Sequence, residues 1–202
     1  PSFYGVKDVR ASLARADLGG ALNTRELLDI AGVLQCARLV RGYIADDSVG
    51  KTPIDHLFYA LRTNKFLEEK ITGSIVGEDE IADAASPELA TIRRQMRAAA
   101  SRAREALQKI ISSPSYAKAL QEPIITMRSD RYVVPVKAEF KGSVPGLVHD
   151  ISSSGATLFI EPMGAVKANN ELRELAAKEK AEIDRILAEL SADCAEHRDD
   201  IS

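Results

Sequence analysis

The stretch PIITMRSDRYVVPVKAEFKGSVPGLVHDISSSGATLFIEP, residues 123–162, is an island of strand-like sequence in an otherwise helical chain. Ile124–Arg128 and Tyr132–Lys137 are β-rich runs on either side of a Ser129-Asp130 turn. Pro135 lacks an N–H to give to a neighbouring strand, which predicts an edge strand or a bulge there. Gly142 to Gly146 reads as a second turn. Gly146–Asp150 and Ala156–Glu161 then supply two more strands around the polar loop Ser152–Gly155. Four short strands joined this way predict a small antiparallel sheet.

Working outward, a helical pattern leads into the island and another leaves it. Ser86-Pro87-Glu88 opens the first, with a capping serine and a carboxylate at the positive end of the helix dipole. Leu89, Ile92, Met96, Ala99, Ala103, Ala106 and Ile110 recur at alternating spacings of three and four, a heptad seam. Its alanines leave room for a partner helix to approach closely. Residues 88–112 would extend about 37 Å. Ser112-Ser113-Pro114 interrupts the pattern, and residues 114–120 predict a short further turn. The second long helix is expected from about Ala165 toward Ser202, about 57 Å if continuous. Leu172, Ala176, Ile183, Ile186 and Leu190 form its apolar stripe, with Glu179 falling in the seam.

Upstream, residues 8–18 read as a short helix closed by Gly19-Gly20. Asn23 and Glu26 form an asparagine version of a capping box. The helix they open carries Leu27, Ile30, Ala31, Leu34, Ala37 and Ile44 on one face and is expected to end near Asp46. Thr52-Pro53 opens another, with Leu57, Ala60, Leu61 and Phe66 as its buried stripe. Residues 72–85, broken by Gly73 and Gly77, are expected to be irregular or briefly extended. The fold class is mainly α with a small antiparallel β insertion. It is a helical core module (1–85) plus long antiparallel coiled-coil helices (86–121 and 165–202) carrying a β tip (122–164).

Composition sets limits on this picture. Of 202 residues, 45% are apolar, enough for a real core. No apolar run approaches the roughly 18 residues needed to span a bilayer, so a membrane partner is not expected. Cys36 and Cys194 stand far apart, form no CxxC, and are expected in a reducing, cytoplasmic setting without structural zinc. The net charge of −3 argues against a strongly basic protein, yet it conceals a pattern. Residues 86–120 hold 7 Lys/Arg against 2 Asp/Glu, whereas 165–202 hold 6 against 10. Opposite charge on two neighbouring helices suits mutual attraction, with Glu174, Glu182 and Glu189 as expected partners of the first helix's arginines. The chain opens on Pro1 rather than Met, and its last helix pattern stops without a cap. Both features read as the ends of a piece.

Three constellations invite chemistry. ADDSVGKT, Ala45–Thr52, matches a relaxed phosphate-loop pattern, but a helix precedes it instead of a strand. Asp46 and Asp47 would also repel phosphate, and Pro53 removes an amide donor, so a loop between helices is the simpler reading. His149, Asp150 and Ser152–Ser154 gather the residue types of a hydrolase, but without a GxSxG elbow. Serines beside Gly155 are more simply a turn, and no catalytic residue is assigned. The third is cationic. Arg128, Arg131, Lys137 and Lys141 on the β tip, with Arg97 and Arg104 on the first long helix, are candidate contacts for nucleic-acid phosphates.

RYVVPVKAEFKGSVPGLVHDISSSGATLFIEP followed by NNELREL resembles the clamp segment of the bacterial type-II MutS paralogues. GVKDVRASLARADLGGALNTRELLDIA and SPELATIRRQMR resemble the core and ascending lever helix of the same proteins. The resemblance implies a core, lever and clamp fragment, its descending lever helix cut short. The intact protein would be a homodimeric ATPase, using ATP and Mg, whose clamp closes around nucleic acid. It would also carry a C-terminal Smr nuclease domain. The implied role is suppression of homologous recombination by clamping branched DNA, the alternative being the splitting of collided ribosomes through ribosomal RNA. No ATPase or nuclease residue of the family maps onto this chain, so the fragment itself is implied to be no enzyme and to hold no cofactor. A coiled-coil interaction scaffold, built on the alanine-rich seam, is a further alternative.

Overall fold

In the computed structural model, residues 3, 5–45 and 52–202 are described. They are mainly helical with small antiparallel sheets. In chain order the elements are α1 (Arg10–Asp17), α2 (Thr24–Ile44), α3 (Asp55–Tyr59), α4 (Lys65–Ser74), β1 (Ile75–Gly77), β2 (Glu80–Ile81) and α5 (Pro87–Ile111). They continue with β3 (Thr126–Arg128), β4 (Arg131–Lys137), β5 (Gly146–Ile151), β6 (Thr157–Pro162), α6 (Met163–Glu196) and α7 (Arg198–Ile201). The chain divides into two compact units, Pro1–Ala90 with Ala181–Ser202, and Thr91–Lys180. No helix among the described residues is long and apolar enough to cross a membrane.

The first unit is built on Leu13, Leu27, Ile30, Leu34, Ile71, Leu89, Ile186 and Leu190, all buried. Its local signals act as their chemistry dictates. Gly19 takes φ +85°, and the Gly19 and Gly20 amides close α1 on the Ala16 and Arg15 carbonyls, a Schellman end. Asn23 Oδ1 accepts from the Glu26 amide while Glu26 Oε2 accepts from the Asn23 amide, both at 2.9 Å. Ser86 Oγ accepts from the Leu89 amide at 3.0 Å and donates to Glu182 at 2.9 Å.

Three expectations change in this unit: the 57–66 stripe, the end of α6 and the acidic partners. The stripe Leu57, Ala60, Leu61, Phe66 is not a core face, since Leu57 is 58% and Phe66 78% exposed. The helix stops at Tyr59 and restarts under an Asn64 cap, so the buried positions become Leu67 and Ile71. Residues 72–74 finish α4, and the expected extended piece follows as the β1–β2 hairpin and a 3₁₀ turn, Asp83–Ala85. α2 ends at Ile44, and Asp46 lies outside the described residues. α6 ends at Glu196, where His197 leaves helical geometry, instead of running to Ser202. The acidic partners also differ. Glu182 binds Arg185 at 2.7 Å, and Glu189 binds Lys70 and Arg185.

In the second unit α5 and α6 run antiparallel. Arg93 bonds Glu179 at 2.9 Å and Arg102 bonds Glu171 at 2.6 Å, so pairs climbing one helix descend the other. Ile92, Ala99 and Leu175 are buried together with Met96 and Leu172 against them. Leu175, not Ala176, is the inward residue, because Ala176 lies on the exposed side. Glu179 stays in the seam because Arg93 meets it there. The sheet has the order β3-β4-β6-β5, all antiparallel. Val134, Val136, Leu158 and Ile160 pack against Leu107, Ala165 and Val144. A 3₁₀ segment, Ala138–Ser143, replaces the expected Gly142–Gly146 turn.

Pro135 sits inside an unbulged β4·β6 pairing, opposite Phe159. It is tolerated because the Ala138 amide bonds Ala156, placing the amides of 134, 136 and 138 toward β6. Pro135 therefore turns its missing donor toward residues 119–121, where its carbonyl still accepts from the Gln121 amide at 2.9 Å. The bulge lies instead in β5, at His149 between Val148 and Asp150.

Candidate nucleic-acid interface

Strand residues alternate between faces, so the register assigns each side chain a side. Arg128 pairs with Arg131, Thr126 with Val133, Pro135 and Asp150 with Phe159, and Lys137 with Thr157. Those residues share the face opposite Val134 and Val136. Three of the expected cations, Arg128, Arg131 and Lys137, thus come from separate positions onto one face. The β3–β4 turn that brings the arginines together has Ser129 at φ +51° and Asp130 at φ +58°, the two left-handed residues of a type I′ hairpin.

The two arginines are held in different ways. Arg128 Cζ lies over the Phe159 ring, 4.1 Å from its centroid. Its Nη1 donates to Thr126 Oγ1 at 3.1 Å and to the Met127 carbonyl at 2.7 Å, and Asp150 lies 3.4 Å from Nε. The Arg128 side chain as a whole is 38% exposed. Arg131 is only 13% exposed and donates to Glu161 Oε2 at 3.0 Å. Glu161 is fully buried and also takes Asn169 Nδ2 at 2.7 Å on Oε2, with His149 Nε2 at 3.0 Å from Oε1. Asn169 further brackets Tyr132, accepting from its amide and donating to its carbonyl. A buried carboxylate needs such partners, because desolvation without them is costly.

Lys137 is half-buried beside Thr157, and Lys141 is exposed on the 3₁₀ segment. Neither makes an ion pair among the described residues. Arg104 is exposed and stands 5.4 Å from the Tyr132 ring centroid, and Arg97 is exposed on α5. The hydrolase constellation is not assembled. His149 faces Glu161, while Ser152 Oγ accepts from the Thr157 amide and Ser154 lies 3.4 Å from Ser152. With Gly155 at φ +75°, those serines form the turn. Of the phosphate-loop stretch only Ala45 and Thr52 lie among the described residues, and Thr52 bonds Asp55. No group of three or more His, Cys, Asp or Glu among the described residues could hold a metal ion.

Sequence reasoning missed Glu161, Asn169 and Phe159. One signal was present: Glu161 interrupts an apolar strand directly before Pro162, where a buried charge demands partners.

No family model matches the chain. Among curated proteins, the chain is 53% identical over 197 residues to "Endonuclease MutS2" of Ruminiclostridium cellulolyticum, covering 96% of this chain and 25% of that protein. It is 50% identical over 197 residues to "Endonuclease MutS2" of Acetivibrio thermocellus, with the same coverage. It is 47% identical over 199 residues to that of Alkaliphilus oremlandii, covering 98% of this chain and 25% of that protein. The chain thus spans a quarter of the length of these relatives. The similarity to type-II MutS paralogues read from residues 123–174 is borne out along nearly the whole chain.

Proposed function

We propose that this chain is the non-catalytic core, lever and clamp part of a MutS-like DNA-binding protein that holds branched DNA and thereby suppresses homologous recombination. Residues 1–85 form the core module, 86–121 and 165–202 the paired lever helices, and 122–164 the clamp. The observation that carries the reading is the pair Lys137 and Lys141 on the β tip, beside arginines already matched by Asp150 and Glu161, in a chain that matches one quarter of proteins named Endonuclease MutS2. Lys137 and Lys141, without ion-pair partners among the described residues, meet phosphates, as a clamp that must fit many sequences requires. Arg97 and Arg104 extend the contact along α5. The ATP- and Mg-dependent step and the nuclease step belong to other parts of a longer, homodimeric, cytoplasmic protein. The test is titration of the chain with a four-way DNA junction and with linear duplex over a salt series, on the wild type and the Lys137→Gln/Lys141→Gln variant. Binding that favours the junction and loses salt dependence in the variant supports the reading, and absence of binding overturns it.

A further inference from the structure

The Arg128–Phe159 pair has properties that a phosphate contact does not need. A phosphate ligand asks for an available charge, whereas the charge of Arg128 is met by Asp150 at 3.4 Å. What the arrangement leaves on offer is a plane. The guanidinium is fixed over the Phe159 ring from below, by Thr126 Oγ1 and the Met127 carbonyl at its side, and by Asp150 at its edge. Arginine planes and aromatic faces are the surfaces on which unpaired bases stack, because every base has a π face to present. A guanidinium held at four points also loses little freedom when a base settles on it.

The surroundings suit a nucleotide. Lys137 stands on the same face, two strand positions beyond Pro135, the cross-strand partner of Phe159. Two residues along a strand cover about 7 Å, close to the stride from a base stack to the next phosphate. Thr157, opposite Lys137, adds a hydroxyl that can donate to a phosphate or sugar oxygen. We infer that this face is a stacking site for an unpaired base of single-stranded nucleic acid, with Arg128 on Phe159 as the platform and Lys137 as the phosphate contact. The inference rests on the clamp reading and deepens it: the sheet takes unpaired nucleotides at a branch in addition to the phosphates its lysines meet. Asp150 offsets the charge of Arg128, so this side chain contributes by stacking while Lys137 contributes charge.

The test is fluorescence anisotropy of the 202-residue chain with labelled oligothymidylate of about 12 nucleotides. A duplex of the same length and a four-way junction without unpaired bases are titrated beside it. Phe159→Leu and Arg128→Lys each remove a stacking surface, Arg128→Lys while keeping the charge. Each is expected to weaken oligothymidylate binding about 5- to 150-fold, the range that follows from about 1–3 kcal/mol per stacked base. The melting temperature and circular dichroism of Arg128→Lys identify a folded variant. Oligothymidylate binding unchanged in Arg128→Lys, or no tighter than the duplex, overturns the platform. Junction binding without oligothymidylate binding overturns the platform and leaves the clamp reading intact. Binding of neither ligand overturns both.

Discussion

Asn169 on α6 donates to the buried carboxylate of Glu161 on β6 at 2.7 Å, and the same side chain brackets both backbone polar groups of Tyr132. One helix residue thereby fixes a strand end and a hairpin end together. Arg131 and His149 complete the cage around Glu161. Removing the carboxylate with Glu161→Ala leaves Arg131 and Asn169 without their acceptor. The expected loss is about 3–5 kcal/mol, the usual cost of breaking a buried ion pair by deleting one partner. Glu161→Gln, which keeps shape and an acceptor oxygen, is expected to lose less. Urea unfolding of both variants checks this, and equal losses would contradict it.

Asn169→Leu is a local probe of the same contact. The Tyr132 amide loses its side-chain acceptor at 3.3 Å, so its hydrogen exchange is expected to accelerate more than that of Val134, whose amide faces β6. Exchange read by mass spectrometry or NMR distinguishes the two positions.

The hairpin turn offers a gain. Ser129 and Asp130 both take left-handed φ values that L side chains adopt at a cost. Asp130→Gly relieves one of them and is expected to stabilise the chain by about 1 kcal/mol. An unchanged or lower urea midpoint would count against the type I′ assignment.

The two cysteines should differ sharply toward thiol reagents. Cys194 is fully buried, and burial, with the neighbouring Asp193 charge second, pushes its thiol up to about 12. At about pH 8 it stays protonated and inaccessible. Cys36 is half-buried on α2. One thiol is expected to react in the native chain and the second only in denaturant. Peptide mapping after alkylation identifies which.

Acid should loosen the first unit. Hydrogen bonds from Arg185 hold Glu182 below the ordinary carboxyl value, and those from Lys70 and Arg185 do the same for Glu189. Glu26 is pushed up by burial, but Arg15 and the Asn23 amide outweigh that and hold it low. A carboxylate whose folded value is depressed stabilises fully above its unfolded value, and that stability is lost as pH falls through the folded one. The urea midpoint is therefore expected to fall as pH drops below the ordinary 4.5 of glutamate. Arg185→Gln should flatten that dependence.

Much of this was legible before any coordinates. Caps and turns depend on near neighbours, so Asn23 with Glu26, Gly19-Gly20, Ser86 and Ser129-Asp130 could be read directly. Leu175 was harder, since Ala176 beside it fits the same period and only packing decides which turns inward. Pro135 misled because its tolerance depends on which side of β4 its nitrogen faces, a property of the whole register. The cations were visible as residue types, but their availability was not. Whether Arg131 is free or caged depends on Glu161 and Asn169, 30 and 38 positions away in the sequence.

The central claim is that the sheet of residues 126–162 grips nucleic acid through its lysines. Its most direct measurement is the salt dependence of four-way junction binding between about 50 and 200 mM, where each phosphate neutralised adds roughly 0.9 to the logarithmic slope. The account predicts that Lys137→Gln/Lys141→Gln lowers that slope by about 2 without lowering the melting temperature. A slope unchanged by the double substitution, or a wild-type chain that binds no junction at low salt, would contradict it.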